Sequence, residues 1–160
     1  MRYIVFDIDG VLADCSHRLK YIQGKIKDYD KFYSDEEIMK DRLILDITDI
    51  IIAFGNLDDY TIVDEEDRTR IIFVSGRSRK CLRSTIRWLE KNLNVCIDED
   101  NLFIYPENDC RPDYQIKEDL IKKHIGFENI LFAFDDDDKV NEMYKKHGVM
   151  CYKPNITNVV

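Results

Sequence analysis

Short apolar runs recur along the chain, and polar residues stop each one. Tyr3–Phe6, Arg70–Val74, Asn101–Tyr105 and Asn129–Phe134 have the length and composition of buried strands, and Val149–Tyr152 predicts a fifth. Between them apolar residues recur with helical spacing. Ile47, Ile50, Ile51 and Phe54 follow an i, i+3, i+4, i+7 pattern, and Leu82, Ile86, Leu89 and Leu93 do much the same. Ile116, Leu120 and Ile121 predict a further helix, and Val140, Met143 and Tyr144 a last one. Strands alternating with helices predict an α/β, Rossmann-like fold, a central parallel sheet flanked by helices. Such sheets bind ligands at the carboxyl ends of their strands. Three polar motifs stand at such ends: Asp7-Ile8-Asp9-Gly10, Ser75-Gly76-Arg77, and Asp135-Asp136-Asp137-Asp138.

Two stretches interrupt the alternation. Cys15–Lys40 is polar and aromatic, with Tyr21, Tyr29, Phe32 and Tyr33, and predicts a minimal helical cap inserted at about residues 15–40. Gly55–Thr69 is acidic and turn-like, and reads as a solvated surface loop.

The 160 residues suit one domain, 1–160, and their 44% hydrophobic content is enough for one core. No apolar run approaches the ~20 residues of a membrane span. The start, Met1-Arg2-Tyr3-Ile4-Val5-Phe6, is too short and too soon acidic for a signal peptide, so a cytoplasmic protein is expected. Five cysteines, an odd number with no Cys-x-x-Cys pair, predict free thiols rather than disulfides or a zinc site. The net charge of −8 argues against a long nucleic-acid footprint and is compatible with a small phosphorylated substrate or one strand terminus. Neither a membrane nor an obligate protein partner is indicated.

Each motif has a bland reading. Asp7 and Asp9 are two apart and would share a face if the strand continued, with Gly10 allowing a sharp turn. Close carboxylates repel, and Mg²⁺, which prefers hard oxygen ligands, would offset that repulsion. The same residues would also suit an ordinary turn. Ser75 and the Gly76 amide can cradle a phosphoryl oxygen, yet Ser-Gly pairs also mark common turns. Lys117 lies in a helical run, where most lysines are solvated. The four aspartates from Asp135 would cap a helix or gather round a cation.

The order of these motifs along the chain resembles the haloacid dehalogenase superfamily of phosphotransferases. That resemblance implies a Mg²⁺-dependent phosphomonoesterase working through an aspartyl-phosphate. Asp7 would be the nucleophile and Asp9 the general acid and then base. The Asp7 carboxylate, the Asp9 backbone carbonyl and Asp135, with Asp136 beside them, would hold Mg²⁺. Ser75 and Lys117 would bind the transferring phosphoryl oxygens. Val11 stands where phosphatases of this type commonly have threonine.

A narrower resemblance, to the phosphatase domain of phage polynucleotide kinase-phosphatases and their stand-alone viral relatives, rests on further stretches. These include Asp14-Cys15-Ser16-His17-Arg18-Leu19, Ile72-Phe73-Val74-Ser75-Gly76-Arg77 and Arg111-Pro112-Asp113-Tyr114-Gln115-Ile116-Lys117. It implies a nucleotide or nucleic-acid 3′ end as substrate, with Gly76, Arg77, Arg111, His17 and Arg18 as candidate substrate-binding residues. The relatives usually carry Asp-Asp-Arg after the fourth strand, whereas here Asp137 replaces the arginine. That replacement shifts weight toward small nucleotides. The sequence holds no Gly-x-x-x-x-Gly-Lys-[Ser/Thr] loop, so no kinase half is expected. A 5′-nucleotidase or other small-molecule phosphatase is the alternative, and a non-catalytic binding module a more distant one.

Overall fold

The computed structural model describes residues 1–60, 69–107, 109, 111–155 and 159. Its sheet has five strands: β1 (Arg2–Phe6), β4 (Thr69–Ser78), β5 (Leu102–Tyr105), β6 (Ile130–Phe134) and β7 (Cys151–Tyr152). Their order is β5-β4-β1-β6-β7, and every pairing is parallel. The chain builds outward from β1 on one side through β4 and β5. It then returns to the other side for β6 and β7. This reversal places a crevice beside the carboxyl end of β1, where open α/β sheets bind ligands.

Both faces of the sheet are covered, which explains why its strands read as unbroken apolar runs. Ile4, Phe6 and Phe73 face one cluster, which they share with Ile47, Trp88 and Leu89. These last come from α3 (Leu45–Tyr60) and α4 (Leu82–Leu93). Val5, Ile72 and Val74 alternate to the opposite cluster, with Ile121, Val140 and Met143. Those belong to α5 (Asp113–His124) and α6 (Asp138–Lys146). Trp88 is almost wholly buried, so truncating it to alanine would cost about 3–5 kcal/mol.

The segment after β1 leaves the sheet and comes back through a narrow neck. β2 (Ala13–Asp14) pairs antiparallel with β3 (Arg42–Leu43), with Ala13 opposite Leu43 and Asp14 opposite Arg42. Between them lie a 3₁₀ helix (Ser16–Tyr21), α1 (Tyr29–Phe32) and α2 (Asp35–Ile38). Asp28 caps α1 and Ser34 caps α2. The helical insertion expected at 15–40 thus corresponds to this pinched excursion.

Two boundaries differ from the sequence reading. The Gly55–Thr69 stretch is not all loop, because α3 continues to Tyr60 and β4 begins at Thr69; the expectation for residues 61–68 lies outside the described residues. β4 does not stop at Val74. Ser75 pairs with Ile104 and Ser78 with the next residue, Tyr105, so Gly76 and Arg77 are extra residues on β4. This bulge lets pairing resume after a sequence with weak strand propensity, and such bulges re-aim side chains. Cys15, Cys81, Cys96 and Cys151 are free thiols, while Cys110 lies outside the described residues.

Candidate active site

β1 delivers Asp7 to the carboxyl edge of the sheet, and its amide donates to the Phe134 carbonyl on β6 at 3.0 Å. Phe6 and Phe134 stack at 5.0 Å between ring centroids, which fixes the two strand ends side by side. Asp135 follows β6 directly, so the two acids meet because their strands are neighbours. The chain then turns at Gly10, where φ is +79° and a Cβ would collide with the Asp136 carboxylate. Glycine is required there by both conformation and space.

Lys117 ties this group together. Although it lies on helix α5, it is 1% exposed, against the usual expectation for a helix lysine. Its Nζ lies 2.6 Å from Asp135 Oδ2, 3.1 Å from Asp7 Oδ2 and 3.2 Å from Asp113 Oδ2. Asp113 stands one turn earlier on the same helix and receives the Tyr105 hydroxyl. Gly76 permits this approach, because a Cβ there would lie 2.7 Å from Asp113 Oδ1. Ser75 is buried in the adjoining bulge, where its Oγ accepts from the Arg77 amide at 3.3 Å.

One lysine does not balance Asp7, Asp113, Asp135 and Asp136. Burial, opposed by Lys117, pushes the Asp7 carboxyl well above the usual range, with Asp135 adding to the rise. Burial also raises Asp136, to about 6, and Asp135 adds to that shift. Asp7 Oδ1 is buried and has no hydrogen-bond partner among the described residues. Asp7, Asp135 and Asp136 each offer an oxygen within 4.8 Å of the others. An all-oxygen, negatively charged set with an unpartnered buried oxygen fits a hard divalent cation such as Mg²⁺.

Asp9 faces a second group. Its Oδ1 accepts from Arg18 Nη2 at 2.5 Å, and from Arg77 Nη2 at 2.6 Å and Nε at 3.1 Å. Burial alone would raise the Asp9 carboxyl, but the two guanidinium groups outweigh it and hold Asp9 below the usual range. Behind the arginines lies Asp41, which accepts from Arg18 Nε at 2.8 Å, Arg18 Nη2 at 2.9 Å and Arg77 Nη2 at 2.6 Å. The Asp41 carbonyl in turn accepts from Trp88 Nε1 at 3.0 Å. Arg18 also stacks on Phe32, 4.4 Å from the ring centroid. The pinched segment and the sheet are therefore joined through a buried network of two arginines and two aspartates.

The predicted substrate-binding residues are placed differently. Arg18 and Arg77 belong to the second group and lie fully buried behind Asp9. Arg111 lines the open pocket above the carboxylates, yet it is engaged by Asp109 at 2.8 Å and Asp119 at 2.7 Å. His17 turns toward α2, with Nε2 3.1 Å from the Glu37 carbonyl. Asp137, the departure from the expected arginine, is the N-cap of α6 and accepts from the amides of Lys139 and Val140. Asp41 was missed by the sequence reading because an aspartate between Lys40 and Arg42 carries no local signal. Asp113 was noticed only as part of the Arg-Pro-Asp stretch, without a role.

The polynucleotide kinase PNKP phosphatase domain family matches residues 1–158. The chain belongs to this family of haloacid dehalogenase-type phosphatases. It is 30% identical over 160 residues to the predicted bifunctional polynucleotide kinase/RNA ligase of Autographa californica nuclear polyhedrosis virus, aligning with 99% of this chain and 19% of that protein. Among solved structures, a chain of the Pnkp1/Rnl/Hen1 RNA repair complex superposes with a TM-score of 0.70 at 20% identity, covering 98% of this chain and 43% of the other. A predicted HAD-like family hydrolase from Porphyromonas gingivalis gives a TM-score of 0.52 at 18% identity, covering 99% and 93%. At these identities the structural matches establish the fold, which the phosphatase family shares with them. The chain spans less than half the length of the viral relative and of the RNA repair protein.

Proposed function

We propose that this chain is a Mg²⁺-dependent phosphomonoesterase that removes 3′-phosphates from nucleotides or nucleic-acid ends through an aspartyl-phosphate on Asp7. The observation that carries this reading is the buried Asp7 Oδ1, without a hydrogen-bond partner among the described residues, beside Lys117, Asp135 and Asp136. The family match supports the substrate class, since the family is named for the phosphatase domain of a polynucleotide kinase. Residues 1–160 would act as one domain, with the 15–40 segment as a cap over the site.

Asp7, Asp135 and Asp136, with the Asp9 carbonyl, would hold Mg²⁺. Bound there, the cation would neutralise charge on the transferring phosphoryl group and align it for in-line displacement. Asp7 attacks phosphorus, forming the Asp7 O–P bond as the bond to the nucleoside oxygen breaks. Lys117 and Ser75 stabilise the equatorial oxygens. Asp9 gives its proton to the leaving oxygen, then accepts one from the water that hydrolyses the acyl phosphate. Arg18 and Arg77 make Asp9 a strong acid when protonated, but keep it mostly ionised near neutral pH. The acid step is therefore expected to favour mildly acidic conditions.

Asp7→Asn tests the covalent step. Phosphate release should fall at least about a thousandfold, and retained turnover would remove Asp7 from the role of nucleophile. Phosphate release from a 5′-nucleotide in preference to its 3′ isomer would instead favour the nucleotidase alternative.

A further inference from the structure

The cavity above the carboxylates is larger than phosphoryl transfer requires. Its volume of about 840 Å³ falls within the range of small-ligand sites. Asp7, Asp9, Asp113 and Asp136 line it and are termed its floor. Its walls carry different chemistry. Leu19, Ile22 and Tyr29 come from the capping segment, and Tyr105 and Pro106 from the end of β5 and the residue after it. Phosphate has no use for aromatic and aliphatic walls.

Packing does not account for Tyr29 either. Helix α1 buries Phe32 against Arg18, and Tyr33 next to it anchors the segment by donating to the Gly76 carbonyl at 3.2 Å. Tyr29, three residues before Phe32, remains 51% exposed at the cavity. The Lys27 ammonium lies 5.9 Å from its ring centroid, within cation–π range. Next to Tyr29, Asp30 reaches across to Lys80 at 3.4 Å, a contact between α1 and the segment following β4. The ring thus lines the same pocket as the carboxylates that would handle phosphate.

We propose that Tyr29 is the stacking platform for the base of the nucleoside whose 3′-phosphate enters the carboxylate floor. The proposal rests on the phosphomonoesterase reading above and adds to it a base-binding subsite in the capping segment. The chemistry recognised is a flat aromatic base attached through a sugar to a phosphomonoester. Every base has a π face, so the subsite accepts bases without choosing among them. A free nucleoside 3′-monophosphate and an unpaired 3′ strand end offer the same group.

The test compares adenosine 3′-monophosphate with base-free ribose 3-phosphate, and adds a single-stranded oligonucleotide bearing a 3′-phosphate to distinguish the two sources. The 160-residue chain should prefer the base-bearing substrate by roughly 5- to 150-fold in kcat/KM, expressed mainly in KM. Tyr29→Ala should bring that ratio close to one, whereas Tyr29→Phe should keep it. Similar ratios for the mononucleotide and the oligonucleotide would make the terminal base sufficient, and a preference confined to the oligonucleotide would overturn the single-base subsite. Equal wild-type hydrolysis of adenosine 3′-monophosphate and ribose 3-phosphate, or a ratio that survives Tyr29→Ala, would sink the subsite but leave the phosphatase reading standing. Hydrolysis of none of the substrates would overturn both.

Discussion

Asp9 and Asp41 share the same two arginines, with Arg77 Nη2 lying 2.6 Å from a carboxylate oxygen of each. Arg18 makes the same bridge, at 2.5 Å to Asp9 and 2.9 Å to Asp41. Asp9 is thus aimed from behind by a buried residue that does not face the pocket. Two positive and two negative charges offset one another there, which makes their burial tolerable.

Asp41→Asn should fold, because the side chain keeps its shape, but it should aim the arginines less well. We expect kcat to fall about tenfold with KM little changed. Asp41→Ala, which leaves two buried guanidinium groups facing one carboxylate, should cost about 3–5 kcal/mol of stability. Thermal melts with parallel steady-state kinetics check both. A lower melting temperature with unaltered kcat in Asp41→Asn would reduce Asp41 to a purely architectural role.

Gly76→Ala should damage activity more than folding. The new methyl would meet Asp113 Oδ1 at 2.7 Å, so either the bulge or Asp113 must shift. Overpacking of this kind costs about 1–3 kcal/mol. A displacement near 1 Å at a catalytic group can cost about a hundredfold in rate. Kinetics on a variant whose melt stays within a few degrees of wild type would show this split.

The dependence on pH has a definite sign. Burial raises the carboxyls of Asp7, Asp135 and Asp136, the last to about 6, so the folded metal-free protein holds more protons than the unfolded chain. Their contribution to stability is present at low pH and is lost as pH rises above the ordinary carboxylate range, for Asp136 through about 6. Asp9, held low by its arginines once burial is overcome, acts in the opposite sense and below that window. Mg²⁺ binds the ionised carboxylates, so its stabilisation should be larger at pH 7.5 than at pH 5. Differential scanning fluorimetry with and without Mg²⁺ at both pH values measures this; an equal shift at both would contradict it.

Lys117→Met removes the cation that bridges Asp7, Asp113 and Asp135. The loss should be about 3–5 kcal/mol at pH 7.5, and smaller at pH 5, where the acids take up protons instead. Chemical denaturation at the two pH values gives the difference directly. Equal losses would mean that Lys117 contributes packing rather than charge.

Much of this was legible in the chain because the fold obeys simple periodicities. Buried strands flanked by helices must be apolar on both faces, and β1, β4 and β6 read that way. Ligand groups in such a fold collect at strand ends, which brought Asp7, Ser75 and Asp135 into view. What escaped depends on contacts distant in sequence. Arg18 and Arg77 read as candidate substrate-binding residues, and nothing local indicated that Asp41 would engage both. The bulge at Gly76–Arg77 was hidden because a strand-ending Ser-Gly and a bulged Ser-Gly have the same sequence. Asp137 read as a change of charge near the site, and in the structure it both caps α6 and lines the pocket.

Phosphate release from one oligonucleotide sequence carrying the phosphate at either its 3′ or its 5′ end, in Mg²⁺ buffer, tests the central claim most directly. The account predicts turnover of the 3′-phosphorylated strand, little of the 5′-phosphorylated one, and loss of the former in Asp7→Asn. Equal or preferential release from the 5′ end, or 3′ release that survives Asp7→Asn, would contradict it.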